Sequence, residues 1–163
     1  MKAKKMVEVV LTFFDCKDDL ITNKKLQKIL YYIEAWSLVY HSSVIDEDFE
    51  AWVHGPVVPS IYHHFKKFGY SPIQNKYKKG ETPSSRWNEL NGSLKLKKDE
   101  MDLIVEVLNK YGSLSSFELE KLSHSELPWL QARGEAGPFD ACFNTIDKKI
   151  MKQYYSSLVD VKE

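Results

Sequence analysis

The chain has little cysteine, no surplus of either charge and no long apolar run, and each shortage removes a class of protein. Its two cysteines, Cys16 and Cys142, lie far apart and in no ligand-like spacing. Neither a disulfide framework nor a cysteine metal site is expected, and both read as reduced thiols buried like small apolar residues. Lysine plus arginine and aspartate plus glutamate each number 23 in 163 residues, so no global field draws the chain to a phosphate backbone. No window reaches the ~18 consecutive apolar residues of a membrane span. The opening MKAKKMVEVVLTFFD is interrupted by Glu8 and followed by no small-residue cleavage site, so it does not read as a signal peptide. The expected location is the cytoplasm.

Catalytic patterns are missing too. There is no GxSxG elbow and no Gly-rich phosphate loop, and no HxxxH or HExxH pair sets two imidazoles on one helix face. His54, His63, His64 and His124 lack metal-ligand spacing even when Asp46, Glu50 or Glu126 is added, and adjacent His63 and His64 point to different sides of a helix. No histidine lies close in sequence to Cys16 or Cys142 to suggest a Cys–His nucleophile. No metal, cofactor or catalytic residue is expected.

What is present is a pattern of helices. With 43% hydrophobic and 28% charged residues, the chain suits one domain over 1–163 with a core over about 5–160. The expected fold is mainly α, about six or seven helices with a short strand or hairpin near residues 44–54. Val7, Val10, Leu11 and Phe14 make a first amphipathic helix after Lys5. Thr22 caps a second, on which Leu26, Ile29, Leu30 and Ile33 form the apolar stripe, with Lys24, Lys25, Gln27, Lys28 and Glu34 largely on the other side. A helix carrying Val58, Ile61, Tyr62, Phe65 and Phe68 ends at Gly69. Residues 71–93 hold polar, Gly and Pro clusters and read as a long, partly mobile loop. Met101 to Tyr111 is helical up to Gly112, Ser115 and Glu118 spell a capping box, Pro128 opens a short helix and Asp147 caps the last one. Asn109 to Leu122 has the outline of a helix-turn-helix, but Glu118 and Glu120 make it a poor reader of the major groove, so nucleic acid is not an expected partner.

The stretch FEAWVHGPVVPSIY, Phe49 to Tyr62, stands out. Pro56 and Pro59 fix φ and lack an N–H, and Gly55 permits a backbone closed to other residues, so these three shape the chain. Its apolar content leaves two readings, a hydrophobic face for a partner or a segment folded under the core. On the first reading Trp52, His54, Val57, Val58 and Tyr62 make contact, with Trp52 the first candidate for exposure. A second cluster, His124, Glu126, Pro128, Trp129 and Arg133, reads as structural, with Arg133 satisfying carbonyls or a carboxylate such as Glu50 or Glu126.

Three pieces in order, KLQKILYYIEAW (25–36), DEDFEAWVHGPVVPSIYHHFKKFG (46–69) and LSHSELPWLQAR (122–133), carry a resemblance. Together the Ala-Trp-x-x-Gly-Pro and Pro-Trp-x-x-Ala-Arg motifs resemble the SocA-like, or Panacea, domain of bacterial toxin–antitoxin systems. That resemblance implies a non-enzymatic cytoplasmic antitoxin, often encoded in prophages and other mobile elements, whose partner is a cognate protein toxin from an adjacent gene. The same domain occurs beside unrelated toxins. Direct neutralisation is the leading reading, with delivery of the toxin to a protease or unfoldase, operator binding and enzymatic reversal of damage as alternatives.

Overall fold

The computed structural model describes residues 1–160. Eight α-helices and one hairpin follow in the order α1 (Ala3–Asp15), α2 (Asn23–Tyr40), β1 (Glu50–Trp52), β2 (Gly55–Val57), α3 (Pro59–Phe65), α4 (Pro83–Ser93), α5 (Lys98–Gly112), α6 (Ser116–His124), α7 (Leu127–Arg133) and α8 (Lys148–Asp160). The mainly α expectation is correct.

Helix α2 is the axis of the fold. The Thr22 hydroxyl caps it, accepting from the Lys25 N–H at 3.2 Å, and Leu26, Ile29, Leu30 and Ile33 are fully buried. It touches α1, α3, α5, α6, α8 and the hairpin, so it has almost no solvent face. The expected polar side therefore lies outside only in part: Lys24 and Lys25 are half-buried, whereas Gln27, Lys28 and Glu34 are buried. A helix enclosed on all sides must pair every polar side chain it carries. Glu34 does so by accepting from the N–H groups of Val44 at 3.0 Å and Ile45 at 2.8 Å and from the Ser43 hydroxyl at 2.5 Å, with the Lys148 ammonium 3.1 Å away.

Those bonds also explain where the strands fall. Expected near 44–54, the hairpin occupies 50–57, because Glu34 takes the backbone donors of Val44 and Ile45 that a ladder would use. β1 and β2 pair antiparallel, Glu50 with Val57, Ala51 with Pro56 and Trp52 with Gly55. The outer edge of β1 is covered by residues 144–146, through Ala51 N–H to Asn144 O at 2.9 Å and Ile146 N–H to Phe49 O at 2.7 Å.

The expected loop over 71–93 is the other correction, and it supplies the additional helix. Thr82 and Ser85 form a reciprocal capping box, Pro83 sits in the first turn, and α4 runs to Ser93. Leu90 is buried, and the Trp87 ring lies 5.8 Å from that of Phe13 on α1. Residues 71–82 are tethered as well: Ile73 is buried and donates its N–H to Ile21 O at 2.8 Å, and the Tyr77 hydroxyl bonds Asp15. Other boundaries follow their signals. α3 passes through a 3-10 turn, Lys66–Phe68, and stops at Gly69. α6 begins at the Ser115–Glu118 capping box with Leu119 buried behind it, and Asp147 accepts from the Lys149 N–H at 2.7 Å at the start of α8.

Glu34→Ala is expected to cost about 3 kcal/mol or more, since it strands two buried N–H groups and removes the carboxylate that Lys148 pairs with. Urea unfolding measures this. A loss below about 1 kcal/mol would show that the 43–45 turn does not depend on α2.

Candidate partner-binding site

The hairpin is held from beneath by the first turns of α2. Asn23 donates to Tyr62 O at 3.1 Å, Gln27 donates to Asn23 Oδ1 at 2.9 Å, and the Val58 N–H donates to Gln27 Oε1 at 2.9 Å. At the next residue, the Lys28 ammonium donates to Pro56 O at 3.2 Å. Burial pushes Lys28 down from the usual lysine range to about 7; Glu120 opposes that shift and Lys24 adds to it. Gly55 makes the close approach possible. Its φ is +111°, and a Cβ there would stand 2.3 Å from Lys28 Cε and 3.0 Å from Ser123 Oγ.

From the other side the hairpin is clamped by α7. The Trp129 indole donates to Trp52 O at 2.9 Å, and Arg133 donates to Ala51 O at 3.0 Å, Gly137 O at 2.6 Å and Asp140 O at 2.8 Å. Arg133 thus satisfies carbonyls rather than Glu50 or Glu126, and its guanidinium lies 4.9 Å from the Trp129 ring. The His124 ring stacks on Trp129 at 4.0 Å and 14°, its Nε2 buried without a partner, and burial lowers its pKa. Pro128 is buried in the first turn of α7. Glu126 is buried where α7 begins, accepting from the Tyr32 hydroxyl at 2.5 Å and the Tyr155 hydroxyl at 2.9 Å. Burial raises its pKa, against the pull of those two hydroxyls.

The two sequence clusters therefore meet as one assembly around the hairpin, and most of it faces inward. Val57 and Val58 are 4% and 0% exposed, so their expected role as contact residues is corrected: each packs in the interior, and the Val58 N–H is committed to Gln27. Gly55 and Pro56 are also buried. Trp52, His54 and Tyr62 remain at the surface. Trp52 is half-buried, its indole donating to Glu50 at 2.6 Å. Its ring centroid lies 4.9 Å from that of Tyr62, 6.0 Å from His63 and 5.8 Å from Phe143, and the Phe143 side is open, with that residue 65% exposed. His54, at the hairpin tip, is exposed and bonds Glu120 at 2.9 Å; Glu120 also pairs with Lys24. Burial tends to raise the Glu120 pKa, and these two partners outweigh it so that the carboxyl is held low.

This is a contiguous aromatic face with a small charged cluster at one edge. Phe143 and His63 completed it unannounced, since neither belongs to a motif and Phe143 arrives through a distant irregular segment. Among the described residues, no group of three His, Cys, Asp or Glu is placed to hold a metal ion. No helix among them is long and apolar enough to cross a membrane.

Residues 26–130 match the family model described as antitoxin SocA-like, Panacea domain. No curated protein and no solved structure matches the chain.

Gly55→Ala is expected to destabilise the fold by about 3 kcal/mol or more, combining a strained φ with overlap on Lys28. The lysine has its own signature. Its folded pKa lies below its unfolded value, so from about pH 7 towards the ordinary lysine range the unfolded chain binds more protons and Lys28 adds stability as pH rises. That gain is absent below about pH 7. Urea midpoints measured across this range should rise by less in Lys28→Met than in the unsubstituted chain, and parallel profiles would refute the assignment.

Proposed function

The chain belongs to the SocA-like antitoxin family defined by the Panacea domain, and on that premise we propose that it neutralises a cognate protein toxin by direct, stoichiometric binding. The observation that carries the proposal is the aromatic face that Tyr62 and His63 of α3 and Phe143 of the segment before α8 form around Trp52, which stands on a hairpin fixed from two sides. A neutralising contact needs roughly 800 Å² on each partner, with a few well-packed aromatic anchors supplying most of the energy. Trp52 and Phe143 have the chemistry of such anchors. His54, Glu120 and Lys24 form a polar edge suited to orienting the partner.

Rigidity supports the same reading. The hairpin's backbone is tied to Gln27, Lys28, Trp129 and Arg133, so little conformational freedom is left to lose on association. The partner expected is a cytoplasmic toxin encoded by an adjacent gene.

Co-expression with the neighbouring gene product from separate promoters tests the proposal, and growth rescue with a co-purifying complex of fixed stoichiometry is the expected result. Phe143→Ser is expected to weaken that complex by about 2 kcal/mol, and Trp52→Ala by as much or more. Calorimetric titration measures both. Phe143 is exposed, so its variant should retain the parent thermal midpoint. Rescue without a complex, or binding unchanged in both variants, would refute direct binding through this face.

A further inference from the structure

A groove of about 660 Å³ lies between α1, α3, α4 and the 74–81 segment, on a different side of α3 from the aromatic face. Ile61, His64 and Phe65 line it, whereas Tyr62 and His63 stand against Trp52. Its floor is apolar: Leu11 and Leu90 are buried there, and Phe65 and Phe68 are half-buried with ring centroids 6.3 Å apart.

The rim is cationic in a chain of zero net formal charge. Six Lys and Arg line the groove against three Glu. Two of those carboxylates are already engaged. Glu8 pairs with Lys5 at 3.0 Å, and Glu81 accepts from Arg86 Nε at 3.1 Å and Nη2 at 2.6 Å. Lys4, Lys67, Lys76 and Lys78 are exposed and have no ion pair among the described residues. The walls are preformed, because the Ile73 N–H is bonded to Ile21 O and Arg86 is stacked 4.3 Å from the Tyr77 ring.

We propose that this groove docks an acidic amphipathic segment of a protein partner. The segment's apolar side chains rest on Phe65 and Phe68, and its carboxylates face Lys4, Lys67, Lys76 and Lys78. Charge complementarity selects the occupant: uncompensated ammonium groups ring an apolar floor, which matches a helix or strand with one acidic and one apolar side. A nucleic acid fits less well. The phenyl rings of the groove floor are half-buried and make a poor open stacking platform for bases.

Fluorescence anisotropy with three labelled probes tests the proposal on the whole chain: a short helical peptide of Leu and Glu, its counterpart with Lys in place of Glu, and a uridylate oligonucleotide. Saturable binding of the acidic peptide that weakens with salt is expected. A K67E/K76E/K78E variant should bind it roughly ten-fold more weakly or worse, and since all three lysines are exposed, the thermal midpoint should hold. Trp52→Ala should leave this binding unchanged, which separates the groove from the aromatic face. Methyl chemical shifts of Leu11 and Leu90 in the unsubstituted protein locate the peptide without any substitution. No saturable binding, equal binding of the Lys peptide, preference for the oligonucleotide, or perturbation confined to the Trp52 side would each overturn the proposal.

Discussion

Enclosure of α2 is the constraint from which the rest of the structure follows. An 18-residue helix touched by five other helices and a hairpin has almost no solvent face on which to park polar side chains, yet this one carries Asn23, Gln27, Lys28 and Glu34 in its interior. Each must meet a partner, and the partners are backbone groups of segments that would otherwise have no regular place. Glu34 fixes the 43–45 turn, Gln27 fixes Val58, and Lys28 fixes Pro56. Polar burial here is a positioning device: removing a partner is expensive, because it leaves a desolvated group, even where the bond itself adds little net stability. The hairpin's location is thus decided by the helix under it more than by its own three-residue strands.

A second polar centre lies where α7 begins, against α2, α5 and α8. Glu126 sits among Tyr31, Tyr32, Tyr111 and Tyr155, with Tyr32 and Tyr111 stacked at 4.1 Å. Burial raises the carboxyl pKa and the tyrosine pKa values together, so the cluster favours its neutral forms. For Glu126 the folded pKa exceeds the unfolded one, and its contribution falls as pH rises through that interval; Lys28 contributes in the opposite sense at higher pH. The two buried centres respond differently to pH because one buried group is acidic and the other basic.

Much of this was legible in the residues, for reasons that can be stated element by element. Caps and stops depend on local chemistry, so Thr22, the Ser115–Glu118 box, Gly69 and Asp147 marked their boundaries correctly. The α4 start was written the same way, in Thr82, Pro83 and Ser85; it reads as loop because polar and Gly-rich neighbours outweigh one reciprocal cap and only Trp87 and Leu90 anchor the helix. Gln27, Lys28 and Glu34 are illegible for a deeper reason. A polar residue opposite an apolar stripe signals solvent only when the helix has a free side, and whether it does is a property of the tertiary arrangement. Val57 and Val58 failed in reverse: apolar residues in a Pro-rich turn look displayed until the turn is seen folded onto α2.

That failure separates the residues that build the site from those that face outward. Gly55, Pro56, Trp129 and Arg133 belong to the two motifs that carry the resemblance, and all are committed internally, to Lys28, the Trp52 carbonyl and the Ala51 carbonyl. The open side is made by Trp52, Tyr62, His63, His54 and Phe143, of which only Trp52 belongs to those motifs. A motif consumed in building a hairpin specifies the shape of the hairpin and leaves the chemistry of its outer surface free to vary. On the proposed reading, recognition of the toxin therefore rests largely on residues outside those motifs, such as His63 and Phe143, with Trp52 the one motif residue that also faces outward.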